Sequence, residues 1–306
     1  METSKRTIGI DLGGTGISFI DLRSPDDVLR RFRLDTPKGK EAVLQTLKKG
    51  VSELLAGSSE SVFGIGVAVA GQVDYENKSL VFSPNLPFKK EYRLGAELEN
   101  FWGVPVTIEN DANAAAIGEK IFGHAREMDD FSVITLGTGV GSGIFANGKL
   151  LRGFRGSAGE AGHVPLLPNG PRCGCGQKGC LEALASGTAI SAAHQRRTKQ
   201  KLSAKEICAL AKKGDKNAVR TLAEAGEWLG TGLVALINLF NPQGIFFTGS
   251  LVNAPKCYFQ PALERVRKRS FGTSAKNIRL EKSKLGVDAG IIGASALPHY
   301  AQKLWK

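Results

Sequence analysis

Residues Thr7–Leu22 read TIGIDLGGTGISFIDL: an apolar strand, a glycine turn and a second apolar strand. A β-hairpin follows, with Gly13, Gly14 and Gly16 permitting positive φ angles in a tight turn. Residues Ser132–Asn147, SVITLGTGVGSGIFAN, repeat the scheme, and Gly137-Thr138-Gly139 echoes Gly14-Thr15-Gly16. Two such hairpins far apart in sequence predict a duplicated α/β domain plan. Each turn offers backbone N–H groups and a threonine hydroxyl to a phosphate, with little bulk in the way. Either alone reads as an ordinary hairpin; the matched pair favours phosphate binding. No Gly-Lys-Ser/Thr follows either turn, so Walker A is absent. A G-x-G-x-x-G fingerprint requires a helix after the turn, whereas Ile17–Leu22 and Ile144–Phe145 read as returning strands.

The second organising stretch is Gly156–Glu182, GSAGEAGHVPLLPNGPRCGCGQKGCLE. His163, Cys173, Cys175 and Cys180, spaced H-x9-C-x-C-x4-C, supply one imidazole and three thiolates, a set suited to tetrahedral zinc. Gly174, Gly176 and Gly179 let the chain turn tightly between them. Four protein ligands close the coordination sphere, so such a metal is structural. A disulfide or plain buried thiols are the other readings; an odd total of five cysteines and the C-x-C spacing favour the metal. Glu160 and Glu182 flank the cluster as acceptors for a polyhydroxylated ligand, or as solvated surface acids.

With 306 residues, the chain is long enough for about two domains. Apolar residues make up 42% and charged residues 23%, as in a soluble globular protein. Runs such as Ser61–Ala70 and Gly232–Phe240 are too short to span a bilayer, so no membrane partner is expected. The strand pattern begins at Thr7, which leaves no room for a targeting sequence, and a cytoplasmic location is expected. The formal charge of +12 and pI near 9.5 raise the question of nucleic acid. Basic residues cluster at Arg30–Arg33, Lys48–Lys49, Lys89–Lys90, Arg196–Lys205 and Arg265–Arg269, and aromatics, only 7% of the chain, do not alternate with these clusters. They read as solvated helix faces, not as a base-stacking surface. A positive field would also concentrate an anionic substrate such as a nucleotide.

Glu41–Leu55 has helical periodicity and Val62–Ala70 reads as a buried strand. Ser83-Pro84-Asn85-Leu86-Pro87 is a proline-fixed loop that presents the Asn85 amide, or simply a turn. Tyr92–Phe101 reads as a helix and Pro105–Glu109 as a strand. Glu109-Asn110-Asp111-Ala112-Asn113 then opens an alanine-rich helix running towards Lys120. Asp111 thus lies where α/β sheets place their ligands, and capping is its other role. Helices follow at Ala183–Gln195, Ser203–Lys213 and Ala218–Phe240, the last with Trp228 and Leu229 in the core. Gly244–Thr248 is a buried strand ending at Gly249, which either lets a flat ligand approach closely or simply makes a turn. Asp288–Leu297 reads as a small-residue helix, and His124, His194 and His299 as structural or surface residues.

On these residues the chain resembles the ROK family of sugar kinases, and within it the bacterial glucokinases. The likeness runs from Asp11-Leu12-Gly13-Gly14-Thr15 to Asp288-Ala289-Gly290, and is most specific at Gly159-Glu160-Ala161-Gly162-His163 with the cysteine cluster and Leu181-Glu182. The resemblance implies the actin–hexokinase (ribonuclease H-like) fold, two α/β domains around a cleft. Residues 1–118, completed by 290–306, would form the small domain and 119–289 the large one. It implies Asp111 as catalytic base, and Asn85, Asn110, Asp111, Glu160, His163 and Glu182 as sugar contacts. His163 and the three cysteines would bind structural Zn²⁺. Asp11 would be the Mg²⁺-associated acid, with Gly13, Gly14, Thr15, Gly137, Thr138 and Gly139 in the phosphate loops and Gly249 on the nucleotide side.

The activity implied is ATP-dependent phosphorylation of a hexose, glucose ahead of fructose, mannose, allose or N-acetylmannosamine. Gly16 stands where many members carry lysine, as in polyphosphate-using relatives; ATP remains the expected donor. Ala70-Gly71 replaces a Pro-Gly turn, and Thr248-Gly249-Ser250 a glycine triplet. A sugar-sensing regulator is the alternative; only seven residues precede Ile8, too few for the helix-turn-helix such members carry. Small-molecule sugar and nucleotide are the expected partners, with a homodimer implied by the family and no interface pattern in the sequence.

Overall fold

The computed structural model describes residues 5–56 and 59–304. It divides into two compact units, Met1–Glu127 with Leu150–Ala158 and Ser283–Lys306, and Met128–Lys149 with Gly159–Lys282.

In the first unit, β1 (Thr7–Leu12) and β2 (Gly16–Ser24) form the antiparallel hairpin, and β3 (Asp27–Asp35) adds to β2. After α1 (Lys40–Leu55), β4 (Gly64–Val69) pairs parallel to β1. A small hairpin of β5 (Gln72–Asp74) and β6 (Ser79–Phe82) follows, then α2 (Leu94–Trp102). Next, β7 (Val106–Asn110) pairs parallel to β4 and runs directly into α3 (Asp111–Phe122). The second unit opens with β8 (Phe131–Leu136) and β9 (Val140–Ala146), again an antiparallel hairpin, followed by β10 (Lys149–Leu150). After the cysteine stretch come α4 (Leu181–Ala185), α5 (Gly187–Thr198), α6 (Ala204–Lys212) and α7 (Lys216–Phe240). Then β11 (Gly244–Thr248), α8 (Lys256–Arg269) and β12 (Arg279–Lys282) complete the unit. The chain returns to the first unit as α9 (Ala289–Ala301).

The sheets run β3-β2-β1-β4-β7 and β10-β9-β8-β11-β12, the same local order twice. The plan is duplicated. Register then fixes where function can sit. Leu12 pairs with Val69 and Val69 with Asn110, so three parallel strands end level and their following turns share one edge. In the second unit Thr135 and Thr248 are paired, which levels the second glycine turn with Gly249. One face of the first sheet buries Ile8, Ile10, Leu12, Val67 and Ile108 with α1 and α2. The other packs Ile20 and Leu22 against Ile291 and Ile292 of α9. A Cβ on Gly293 would strike the Ala114 and Ala115 backbone, so the small residues let α9 lie against α3. No helix of the described residues is long and apolar enough to cross a membrane.

Several expectations need correction. Ala183–Gln195 is not one helix: Ser186 leaves helical geometry at φ −73°, ψ 170° and caps α5 by accepting the Ala189 N–H at 3.1 Å. The basic run Arg30–Arg33 lies on β3, an exposed edge strand, and Lys89–Lys90 in a loop, not on helices. Trp228 is half-buried and outside the core that holds Leu229. Of the histidines read as structural or surface residues, His194 and His299 are buried, in keeping with the structural reading. The hairpin glycines Gly13, Gly14, Gly16, Gly137 and Gly139 do not take positive φ; in the knuckle Gly176 and Gly179 do, and Gly174 does not.

Candidate functional site

Asp111 is the first residue of α3, and the local chemistry fixes it there. Asn110 ends β7 as N-cap, its side-chain oxygen accepting the N–H groups of Ala112 at 2.9 Å and Asn113 at 3.1 Å. Its amide nitrogen donates to the Gly71 carbonyl at 3.0 Å. That amide therefore keeps one N–H for any further partner. The helix dipole favours an ionised carboxylate at Asp111. Behind it, buried Glu109 accepts from Asn110 N at 3.0 Å, Asn113 Nδ2 at 3.1 Å and Arg152 Nε at 2.7 Å. Arg152 lies 4.0 Å over the Tyr75 ring.

The first turn joins the same edge. Gly13 N–H donates to Gly16 O at 3.1 Å, and Ala70 N–H to Leu12 O at 3.2 Å. Ser83 donates to Ala70 O at 2.6 Å and accepts from Asn85 N at 3.3 Å. Asn85 then packs on the turn, for a Cβ on Gly14 would lie 2.7 Å from the Asn85 Cβ. Asp11, Gly13, Gly14, Thr15, Asn85, Asn110 and Asp111 thus lie along one edge of the first unit. Among the described residues the N–H groups of Gly14 and Thr15 have no acceptor. Burial raises the Asp11 carboxyl above its ordinary range, and the nearby Arg33 charge opposes that rise. A half-buried carboxyl beside N–H groups without acceptors fits a magnesium ion arriving with a phosphate donor.

The second unit gathers the remaining residues. Gly137 N–H donates to Gly139 O at 3.0 Å, and α5 ties down the turn through Gly187 N–H to Gly137 O at 2.8 Å. The Thr188 hydroxyl reaches Thr138 O at 2.8 Å. The N–H groups of Thr138 and Gly139 have no acceptor among the described residues, as in the first turn. Gly249, at φ 89°, lies against the Leu136 backbone, which leaves no room for a side chain. Its glycine is required by strand packing.

His163 closes a single 3-10 turn, Ala161–His163. The candidate ligand atoms of His163, Cys173, Cys175 and Cys180 all lie within 4.8 Å of one another. Tetrahedral zinc bonds of about 2.3 Å to sulfur and about 2.1 Å to nitrogen space S···S by ~3.8 Å and S···N by ~3.6 Å. Here Cys175 and Cys180 sulfurs are 3.8 Å apart, and Cys173 Sγ is 3.6 Å from His163 Nδ1. The donor set fits. Burial pushes the Cys173 thiol up to about 12, while the Gln177 N–H holds Cys175 below its usual value. With Nδ1 turned to the sulfurs, His163 keeps Nε2 for another partner. Glu182 stands beside the cluster, 3.4 Å from Cys173 Sγ, and accepts the Val140 N–H at 3.1 Å. Desolvation raises the Glu160 carboxyl, with His163 opposing and Glu182 adding to the rise.

Sequence reasoning missed Arg152, Arg33 and Ser83. Arg33 had a signal: Ser24-Pro25-Asp26-Asp27 is a turn composition, so a third strand follows the hairpin. Arg152 had none, because its partner Glu109 is distant in sequence.

The ROK family model matches residues 7–301. The glucokinase of Thermotoga maritima is 35% identical over 308 residues, covering 95% of this chain and 96% of its own. The xylose repressor of Bacillus subtilis is 33% identical over 295 residues, 95% of this chain and 76% of its own. A solved ROK family glucokinase from Streptomyces griseus, in complex with glucose and AMPPNP, is similar with a TM-score of 0.83 and 33% identity. That match covers 95% of this chain and 98% of the other. A likeness that runs from the first strand into the last helix, on the doubled sheet plan of the actin–hexokinase fold, makes this chain a member of the ROK family.

Proposed function

We propose that this chain phosphorylates a hexose with ATP, glucose to glucose 6-phosphate first among candidates. The observation that carries the reading is Asp111, held at the start of α3 by the Asn110 cap on the edge that also bears a glycine turn with two N–H groups that have no acceptor among the described residues. Phosphoryl transfer asks for alignment and charge neutralisation more than covalent help, and this edge offers a base and phosphate donors together. Asp111 accepts the proton of the attacking hydroxyl, late in a loose transition state. On the first unit Asn85 and the remaining Asn110 N–H hold sugar hydroxyls. On the second, Glu160, Glu182 and His163 Nε2 do the same, while the Thr138 and Gly139 N–H groups bind phosphate. Asp11 would hold magnesium, which when bound supplies neutralisation of the phosphate charge. His163, Cys173, Cys175 and Cys180 would hold zinc, which when bound supplies a rigid clamp. ATP leads over polyphosphate because the relative solved with AMPPNP is a glucokinase.

A hexose panel assayed with ATP and with polyphosphate tests the reading. Glucose with ATP should give the highest kcat/KM, and Asp111→Asn should lower kcat by roughly 10²- to 10⁴-fold. Unchanged turnover in that variant removes the base assignment. The xylose repressor likeness supports a second reading, a sugar-sensing regulator. Absent phosphotransfer with retention on DNA at physiological salt would favour it.

A further inference from the structure

Gly16 opens β2 without a positive φ, so backbone freedom does not explain the glycine. Space does. A Cβ there would lie 2.7 Å from Arg33 Cζ and closer still to two guanidinium nitrogens. Arg33 reaches this place from β3, where it is the cross-strand partner of Ser18. Its neighbours on that strand are engaged: Arg30 with Glu53, and Arg31 with Asp288 at 2.6 Å. Arg33 has no hydrogen bond or ion pair among the described residues.

The acceptors of the turn under it are taken up by hydrogen bonds. Thr36, just past β3, donates its N–H to Thr15 O at 3.3 Å and its hydroxyl to Gly13 O at 2.6 Å. Gly16 O takes the Gly13 N–H. Three carbonyls are thereby occupied, while the Gly14 and Thr15 N–H groups of the same turn have no acceptor among the described residues. Two backbone donors and a planar cation form a set for a multiply charged oxyanion, and arginine's fork suits phosphate oxygens.

We propose that Arg33 is a ligand for the phosphoanhydride chain of the donor, and that position 16 is glycine to admit it. This rests on the kinase reading. The positive charge at the first turn comes from the adjoining strand, brought into place by Thr36.

The test separates donor from acceptor and binding from turnover. Titration calorimetry with magnesium tripolyphosphate and with MgAMPPNP should show Arg33→Gln weakening both by roughly tenfold or more, the size of a lost charged hydrogen bond. The hexose KM should not move, and the donor effect should shrink with added salt. A lysine introduced by Gly16→Lys in an Arg33→Ala background should recover donor binding, because truncation at residue 33 opens the space over residue 16. The same change with Arg33 present should not. Thermal melts check the folding of each variant; Arg33 is exposed on an edge strand, so its replacement should leave the chain folded. Unchanged tripolyphosphate binding in Arg33→Gln, or no binding of either probe by the wild type, overturns the proposal. If binding falls as expected yet no hexose is phosphorylated, Arg33 stands and the hexose kinase reading fails.

Discussion

Val140 donates its backbone N–H to Glu182 at 3.1 Å, so the turn of the second hairpin holds this carboxylate directly. The preceding Gly139 has no room for a side chain because the Glu182 carboxylate fills the space; its Cδ would lie 3.2 Å from an added Cβ. Gly139→Ala should displace Glu182 and raise the hexose KM by about tenfold, the loss of one charged hydrogen bond. Steady-state kinetics on glucose, with metal content measured in parallel, would check this. An unchanged KM would show that Glu182 does not contact the sugar.

The Glu109–Arg152 pair supports Asp111 from behind. Glu109 is 2% exposed and Arg152 24%. Removing one partner of such a pair leaves a buried charge uncompensated, at a cost of about 3 kcal/mol. Urea unfolding of Arg152→Met should show that loss, and Glu109→Gln in the same chain should recover part of it. A strictly additive double variant would mean that the two side chains do not act as a pair.

The cysteine knuckle should hold about one zinc per chain on metal analysis. Cys175 is exposed, so Cys175→Ser removes a ligand without opening a core cavity. That variant should lose metal and become open to limited proteolysis within 164–179. Full protection in a metal-free sample would instead make the knuckle self-supporting.

His299 is buried, stacked on Phe63 at 5.3 Å and edge-on to Phe122 at 6.4 Å. Desolvation, with the Lys5 charge adding, lowers its pKa below the ordinary 6.5. The folded state therefore favours neutral imidazole, and below 6.5 the unfolded chain binds more protons. Stability from this site is full above 6.5 and is lost as pH falls through the folded value. His299→Leu should flatten the fall in unfolding midpoint between pH 7 and 5. An equally steep fall in the variant would assign that acid sensitivity elsewhere.

Much was legible from local pattern. The hairpins, the cap at Asn110 and the ligand spacing of the knuckle are short-range features, readable because strand period, capping chemistry and metal geometry act over a few residues. β3 was legible only through the turn composition before it, with no strand pattern of its own. Its charged residues lie on an exposed edge, so burial imposed no alternation. The break at Ser186 was hidden because serine suits a helix surface and a cap alike.

The sequence by itself determined the doubled hairpin plan, the Cys/His ligand set and the place of Asp111 at a strand end. Only the tertiary structure decided why the hairpin turns carry glycine. Asn85 stands over Gly14, Arg33 over Gly16 and Glu182 over Gly139, each from elsewhere in its own unit. Backbone freedom can be guessed from a glycine alone, but exclusion of a Cβ depends on atoms that folding brings from distant positions.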